Sequence, residues 1–154
     1  MTFTSVRAVL VDIGSFSPEP HHMSLLILFL ATSVIFLVAD AIMLPTVIQP
    51  VFARHLGDGL AEGIRWLPAI LFYLIFMFGI LWFAGWPALR DGTPHMALIN
   101  GAILGLVAYG TYELTSWAVM RDWHPQMVVL DMAWGTVLTA GAAWGGVMIT
   151  RALT

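Results

Sequence analysis

Four stretches of this sequence, 24–44, 66–86, 96–120 and 126–149, are apolar over lengths close to those needed to cross a bilayer. A helix needs roughly 20 such residues to span the hydrocarbon core. Only 10% of the residues are charged, against about 25% in soluble domains. That is too few to cover the surface of a water-soluble domain, and the mean hydropathy of +0.89 agrees. The expected fold is therefore an all-α membrane protein, with four transmembrane helices in an antiparallel bundle. The length suits one domain, read as residues 23–154.

Residues 1–22 stand apart from this pattern. Arg7 to Gly14 is a short apolar run, and the turn-rich SFSPEPHH follows it. A signal peptide needs a longer apolar region and a small-residue cleavage site. The segment is read as a disordered extension, with Met23 as the natural beginning.

The spans are punctuated by proline. Pro45 and Pro50 close the first, Pro68 sits in the first turn of the second and Pro87 just past its end, and Pro94 and Pro125 precede the third and fourth. Proline costs least at such positions, so four uninterrupted helices are expected. Between spans one and two, Ile48, Val51, Phe52 and Leu56 recur at helical spacing with Arg54 and Asp58 off the stripe. This pattern predicts a short amphipathic helix at the interface. Trp66, Trp82, Trp86, Trp117, Trp123 and Trp144 lie near predicted span ends, where an aromatic belt sits, whereas Trp134 lies deeper. Gly101 with Gly105 and Gly141 with Gly145 form GxxxG pairs, read as close-packing positions between helices. Arg7, Arg90 and Arg151 fall on one side and Arg54, Arg65 and Arg121 on the other, so the positive-inside rule does not orient the bundle.

Acidic residues inside lipid-compatible segments need a reason, because a charge at mid-helix costs about 2.5–3.5 kcal/mol on insertion scales. Asp40 lies four residues before the end of span one, Glu113 about seven before the end of span three, and Asp131 about five after the start of span four. Tyr73 lies about seven after the start of span two. Antiparallel spans alternate in direction, so at about 1.5 Å per residue all of these sit roughly 6–10 Å inside one membrane face. The expected site is a buried acidic layer of Asp40, Glu113 and Asp131. Tyr73, Tyr109, Tyr112, Ser116 and Trp134 support it, with Trp134 beside Asp131. Thr115 and Thr136, like Tyr112, read equally as packing or helix–helix hydrogen bonds. No arginine or histidine lies within the spans. The layer therefore needs a proton held on one carboxyl, a cation among them, or Arg65 or Arg121 reaching in from the face.

Several chemistries drop out. The chain has no cysteine and no lysine, which excludes thiolate chemistry and a Schiff-base cofactor. His21, His22, His55, His95 and His124 all lie outside the spans, which disfavours a haem held by helical histidines. His55 with His124 is the lone candidate pair for zinc, and no metal site is assigned. No phosphate-binding or nucleotide-binding glycine motif is present, the cofactor is unknown, and the scattered arginines do not suggest nucleic acid.

FLVADAIML (36–44), PAILFYLIFMFGILWFAGWPAL (68–89), GAILGLVAYGTYELTSWAVMRDW (101–123) and DMAWGTVLTA (131–140) together resemble a bacterial inner-membrane protein family known as domain of unknown function 2177. The AYGTYELT and DMAWGT segments carry most of the specificity. The family pattern looks like TYDLTN where this chain has Glu113 and Ser116, and a tryptophan is usual where Met43 stands. The resemblance implies a four-span fold and an inner-membrane address, and no activity.

The leading functional expectation is proton- or cation-linked transport or relay through the acidic layer. The alternatives are a small membrane oxidoreductase or lipid-modifying enzyme, and a structural or accessory subunit. The lipid bilayer is the expected partner, and a homodimer or a partner membrane protein fits each of these readings.

Overall fold

The computed structural model describes residues 21–154, so the expected extension lies, but for its last two residues, outside the described residues. Those two, His21 and His22, begin the first helix. Among the described residues there is no strand. Helix α1 covers His21–Met43 and α2 covers Gln49–Leu56; α3 covers Trp66–Ile80 and α4 Trp86–Arg90; α5 covers Pro94–Val119 and α6 Pro125–Leu153. Among the described residues, four segments are long and apolar enough to cross a membrane: His22–Gly59, Trp66–Arg90, Pro94–Val119 and Pro125–Leu153.

The prolines do not end the first two spans as expected. α1 runs into α2 through a π-helical turn at Leu44–Ile48, and α3 into α4 through another at Leu81–Gly85. The Gln49 N–H reaches back five residues to the Leu44 carbonyl, and the Trp86 N–H likewise to Leu81. Pro50 and Pro87 each follow directly. A proline inside an α-helix lacks its N–H and collides with the carbonyl four residues earlier. Widening the preceding turn relieves that collision and lets the helix continue. The α4 helix then ends at Gly92, whose φ of +66° favours glycine. Thr93 N–H donates to the Ala88 carbonyl at 2.9 Å and Gly92 N–H to the Leu89 carbonyl at 3.3 Å, the paired bonds of a Schellman cap.

The expected amphipathic helix is α2, joined to α1 rather than separate. The first continuous helix has 38 residues. At about 1.5 Å per residue it is about 57 Å long, nearly twice a hydrocarbon core of about 30 Å, and α2 forms its far end. There Val51, Phe52 and Leu56 pack on Trp123, Met127 and Val128 at the α5–α6 turn, while Arg54 faces out.

α6 is the central helix, packed by α5 on one side and α1 on the other. Its contacts depend on absent side chains. A Cβ on Gly101 would lie 2.9 Å from Ala140 Cα, and one on Gly105 2.5 Å from the Gly135 carbonyl oxygen. A Cβ on Gly135 would collide with the Tyr109 ring, and one on Gly146 with Thr32 of α1. Among the expected GxxxG residues, Gly145 abuts only the tip of Ile35, and Gly141 faces open space. Thr111, Thr136, Thr139 and Thr150 donate their hydroxyls to carbonyls four residues back in their own helices, and Thr115 does so to Thr111. Thr115 and Thr136 thus make no hydrogen bond between helices, because the nearest acceptor is within their own turn.

The second span is packed unevenly. Within α3 the buried residues are Phe76, Met77 and Ile80, all in its later half. The turn at 81–85 lies against α5, whereas the start of α3 stands away from α1 and leaves room between them.

Candidate functional site: an acidic cavity between the four spans

That room is a cavity of about 590 Å³. Asp40, Leu44 and Ile48 come to it from the first span, Phe72 and Tyr73 from the second, Tyr109 and Tyr112 from the third, and Asp131 from the fourth. Phe52 of α2 and the 60–64 loop, Glu62 included, complete the wall, and among the described residues no arginine or histidine lines it.

Asp40 is buried at 6% exposure and acts as a junction. Its Oδ2 accepts from the Tyr73 hydroxyl at 2.7 Å, and its Oδ1 accepts from Trp134 Nε1 at 3.3 Å. One carboxylate thereby ties α1 to α3 and α6. Trp134 had been expected beside Asp131. The two are three residues apart on α6, yet the indole N–H points across to α1. An indole N–H buried among apolar groups must find an acceptor, and Asp40 supplies it.

Glu113 is fully buried, behind the cavity rather than on its wall. Its Oε2 accepts from Trp123 Nε1 at 2.8 Å, while its Oε1 is buried without a donor. The Asp131 carboxyl is its acidic neighbour, and each feels the other's charge. Two ionised carboxylates offer only acceptors to each other, so a close approach of the pair favours a proton or a cation between them. Asp131, the cavity-facing member, has no hydrogen-bond donor of its own among the described residues.

The aromatic groups hold this arrangement. Tyr109 stacks edge-on against Phe76 with ring centroids 6.0 Å apart, and its ring fills the space left by Gly135. Tyr112 and Phe52 both meet the Trp123 ring edge-on, at 5.5 and 5.6 Å. Trp123, read from the sequence as an interfacial belt residue, is instead buried and bonded to Glu113. The signal available was its place in the α5–α6 turn, ten residues from Glu113.

Other residues fall outside the site. Ser116 does not line the cavity. Arg65 and Arg121 are exposed and do not reach the carboxyls. The single ion pair among the described residues, Arg90 with Asp91 at 2.8 Å, lies in the α4–α5 turn, at the opposite end of the spans from the cavity. There the Arg90 hydrogen bond holds the exposed Asp91 carboxyl below the usual carboxylate range. His55 and His124 do come together, stacked at 4.1 Å with rings 6° from parallel, and His55 Nε2 lies 3.2 Å from Gln126 Oε1. Ring nitrogens coordinate in their own plane, so this face-to-face stack does not aim both at one ion.

Comparison with known proteins places the chain in a family without adding an activity. No curated protein and no solved structure matches it. A family model described as a predicted membrane protein of domain of unknown function 2177 matches residues 25–148, which contain every carboxylate and aromatic group of the cavity. The chain belongs to this family of predicted membrane proteins.

Proposed function

We propose that this membrane protein takes up protons or a cation at the acidic cavity, as part of proton- or cation-linked transport or relay. The observation that carries the reading is that Asp40 and Asp131 line one cavity, with Glu113 buried outside its lining and, among the described residues, no basic side chain lining the space. Unneutralised carboxylates at membrane depth are expensive and mark ion or proton paths. The two acidic centres divide the work. Asp40 is held by two donors from other spans and sets the geometry of the wall. Asp131 faces the cavity and exchanges, and Glu113 is the inner partner with which it shares a proton. We read residues 23–154 as one multi-pass domain of a bacterial inner membrane, an address supported by the family resemblance.

Proton uptake on acidification, measured on the full chain in lipid, tests the reading. Asp131→Asn is expected to take up fewer protons than the wild type and to lose the pH dependence of its thermal unfolding. A variant that matches wild type in both from acid to neutral pH overturns it.

A further inference from the structure

We propose that the cavity binds a lipophilic organic monocation, an ammonium or similar group carried on an apolar or aromatic body. The inference rests on the acidic cavity being a cation site and adds which kind of cation it takes.

Size comes first. About 590 Å³ is far more than a bare ion needs and falls within the range of about 300–1,000 Å³ typical of small-molecule sites. The wall is the second observation. Outside its carboxyls, Gln49 and the tyrosine hydroxyls, it is mostly apolar, with Leu44, Ile48 and Ile64 beside the rings of Phe52, Phe72 and Tyr109. Calcium and magnesium ions require about six oxygen ligands, and among the described residues no three His, Cys, Asp or Glu side chains group to hold a metal. Aromatic faces attract organic cations instead, and more strongly where water is excluded.

Charge supplies the third observation. Asp40, Glu62 and Asp131 line the space, with no arginine or histidine there among the described residues. A ligand carrying a phosphate or carboxylate would therefore bring its anion against theirs without a partner, which disfavours zwitterionic phospholipid headgroups as well as free anions. A net positive, otherwise apolar molecule meets both the charge and the surface. Both Asp40 oxygens already accept hydrogen bonds, so Asp131 is the direct counter-charge and Asp40 the fixed field beside it. A cation arriving at Asp131 favours release of the proton shared with Glu113, so binding expels a proton.

Tetraphenylphosphonium is a suitable probe, with tetraphenylborate as its near-isosteric anion. Isothermal titration of the full chain in nanodiscs, with empty nanodiscs subtracted, is expected to show saturable binding of the cation alone, accompanied by proton release. Asp131→Asn should weaken that binding by at least about tenfold, a loss of about 1.4 kcal/mol. Ala69→Trp fills the cavity from α3 while leaving every carboxyl residue unchanged and should abolish it, with thermal unfolding in the same nanodiscs reporting that the variant is folded. Equal uptake of both ions, or cation binding unchanged by Ala69→Trp, overturns the inference. Asp131-dependent proton uptake without saturable cation binding overturns it too, while leaving the acidic site itself in place. Loss of both together removes the site.

Discussion

Along α6, Gly135, Thr139, Ala143 and Gly146 are buried against α5 and α1, whereas on α3 the residues before Phe76 are exposed apart from Ala69 and Tyr73. Both helices are apolar and of membrane-spanning character, so hydropathy alone does not separate them. The difference lies in side-chain size. Lipid tails are as apolar as leucine, so helices in a bilayer gain little by hiding apolar surface from lipid and associate instead through close packing. The glycine-lined seam allows backbones to touch. The early turns of α3, built from Trp66, Leu67, Ile70, Leu71 and Phe72, hold their neighbours off and leave lipid-facing bulk outside and a cavity inside.

If that contrast is right, the seam and the wall should respond oppositely to substitution. The largest effect is expected at Gly105→Val, whose Cβ would meet the Gly135 carbonyl oxygen rather than a flexible side chain. Overpacking of this kind should lower stability by about 3 kcal/mol, read by unfolding in a denaturing-detergent titration. Trp123→Phe should cost less, about 1–3 kcal/mol, because it keeps the ring contacts but strips the donor from Glu113 Oε2; the same titration reads it, and Trp123→His, which retains a ring N–H, should recover part of the loss. Ile75→Ala on the α3 wall, where Ile75 is 71% exposed, should stay within about 0.5 kcal/mol of wild type. A large loss there would mean that the wall is packed against protein and that the contrast with the seam is wrong.

The comparison also explains which residues of the site were legible beforehand. Depth was readable. Counting residues from span ends puts Asp40, Tyr73, Glu113 and Asp131 at similar depth, and the structure gathers them at one end of the bundle. Rotation about each helix axis was not readable. In a soluble helix the polar face announces the outside, but here both faces of a span are apolar, so periodicity does not tell core from lipid. For that reason Trp134 turns to Asp40 instead of Asp131, Glu113 sits behind the cavity, Ser116 misses it, and Gly135 and Gly146 take the packing role expected of Gly141 and Gly145.

By itself the sequence determined the class, the number of spans and the end of the bundle at which the acidic residues lie, because those follow from the length of apolar runs and the alternating direction of successive spans. Tertiary structure decided how the helices turn toward one another. It carried the first two spans through their prolines by π-helical turns, set α2 against the α5–α6 turn, and left Asp131 facing a cavity with Glu113 as its hidden neighbour. Apart from the proline turns, those choices rest on which side chains meet, and which are missing, where helices touch, a property of pairs of helices that no single span contains.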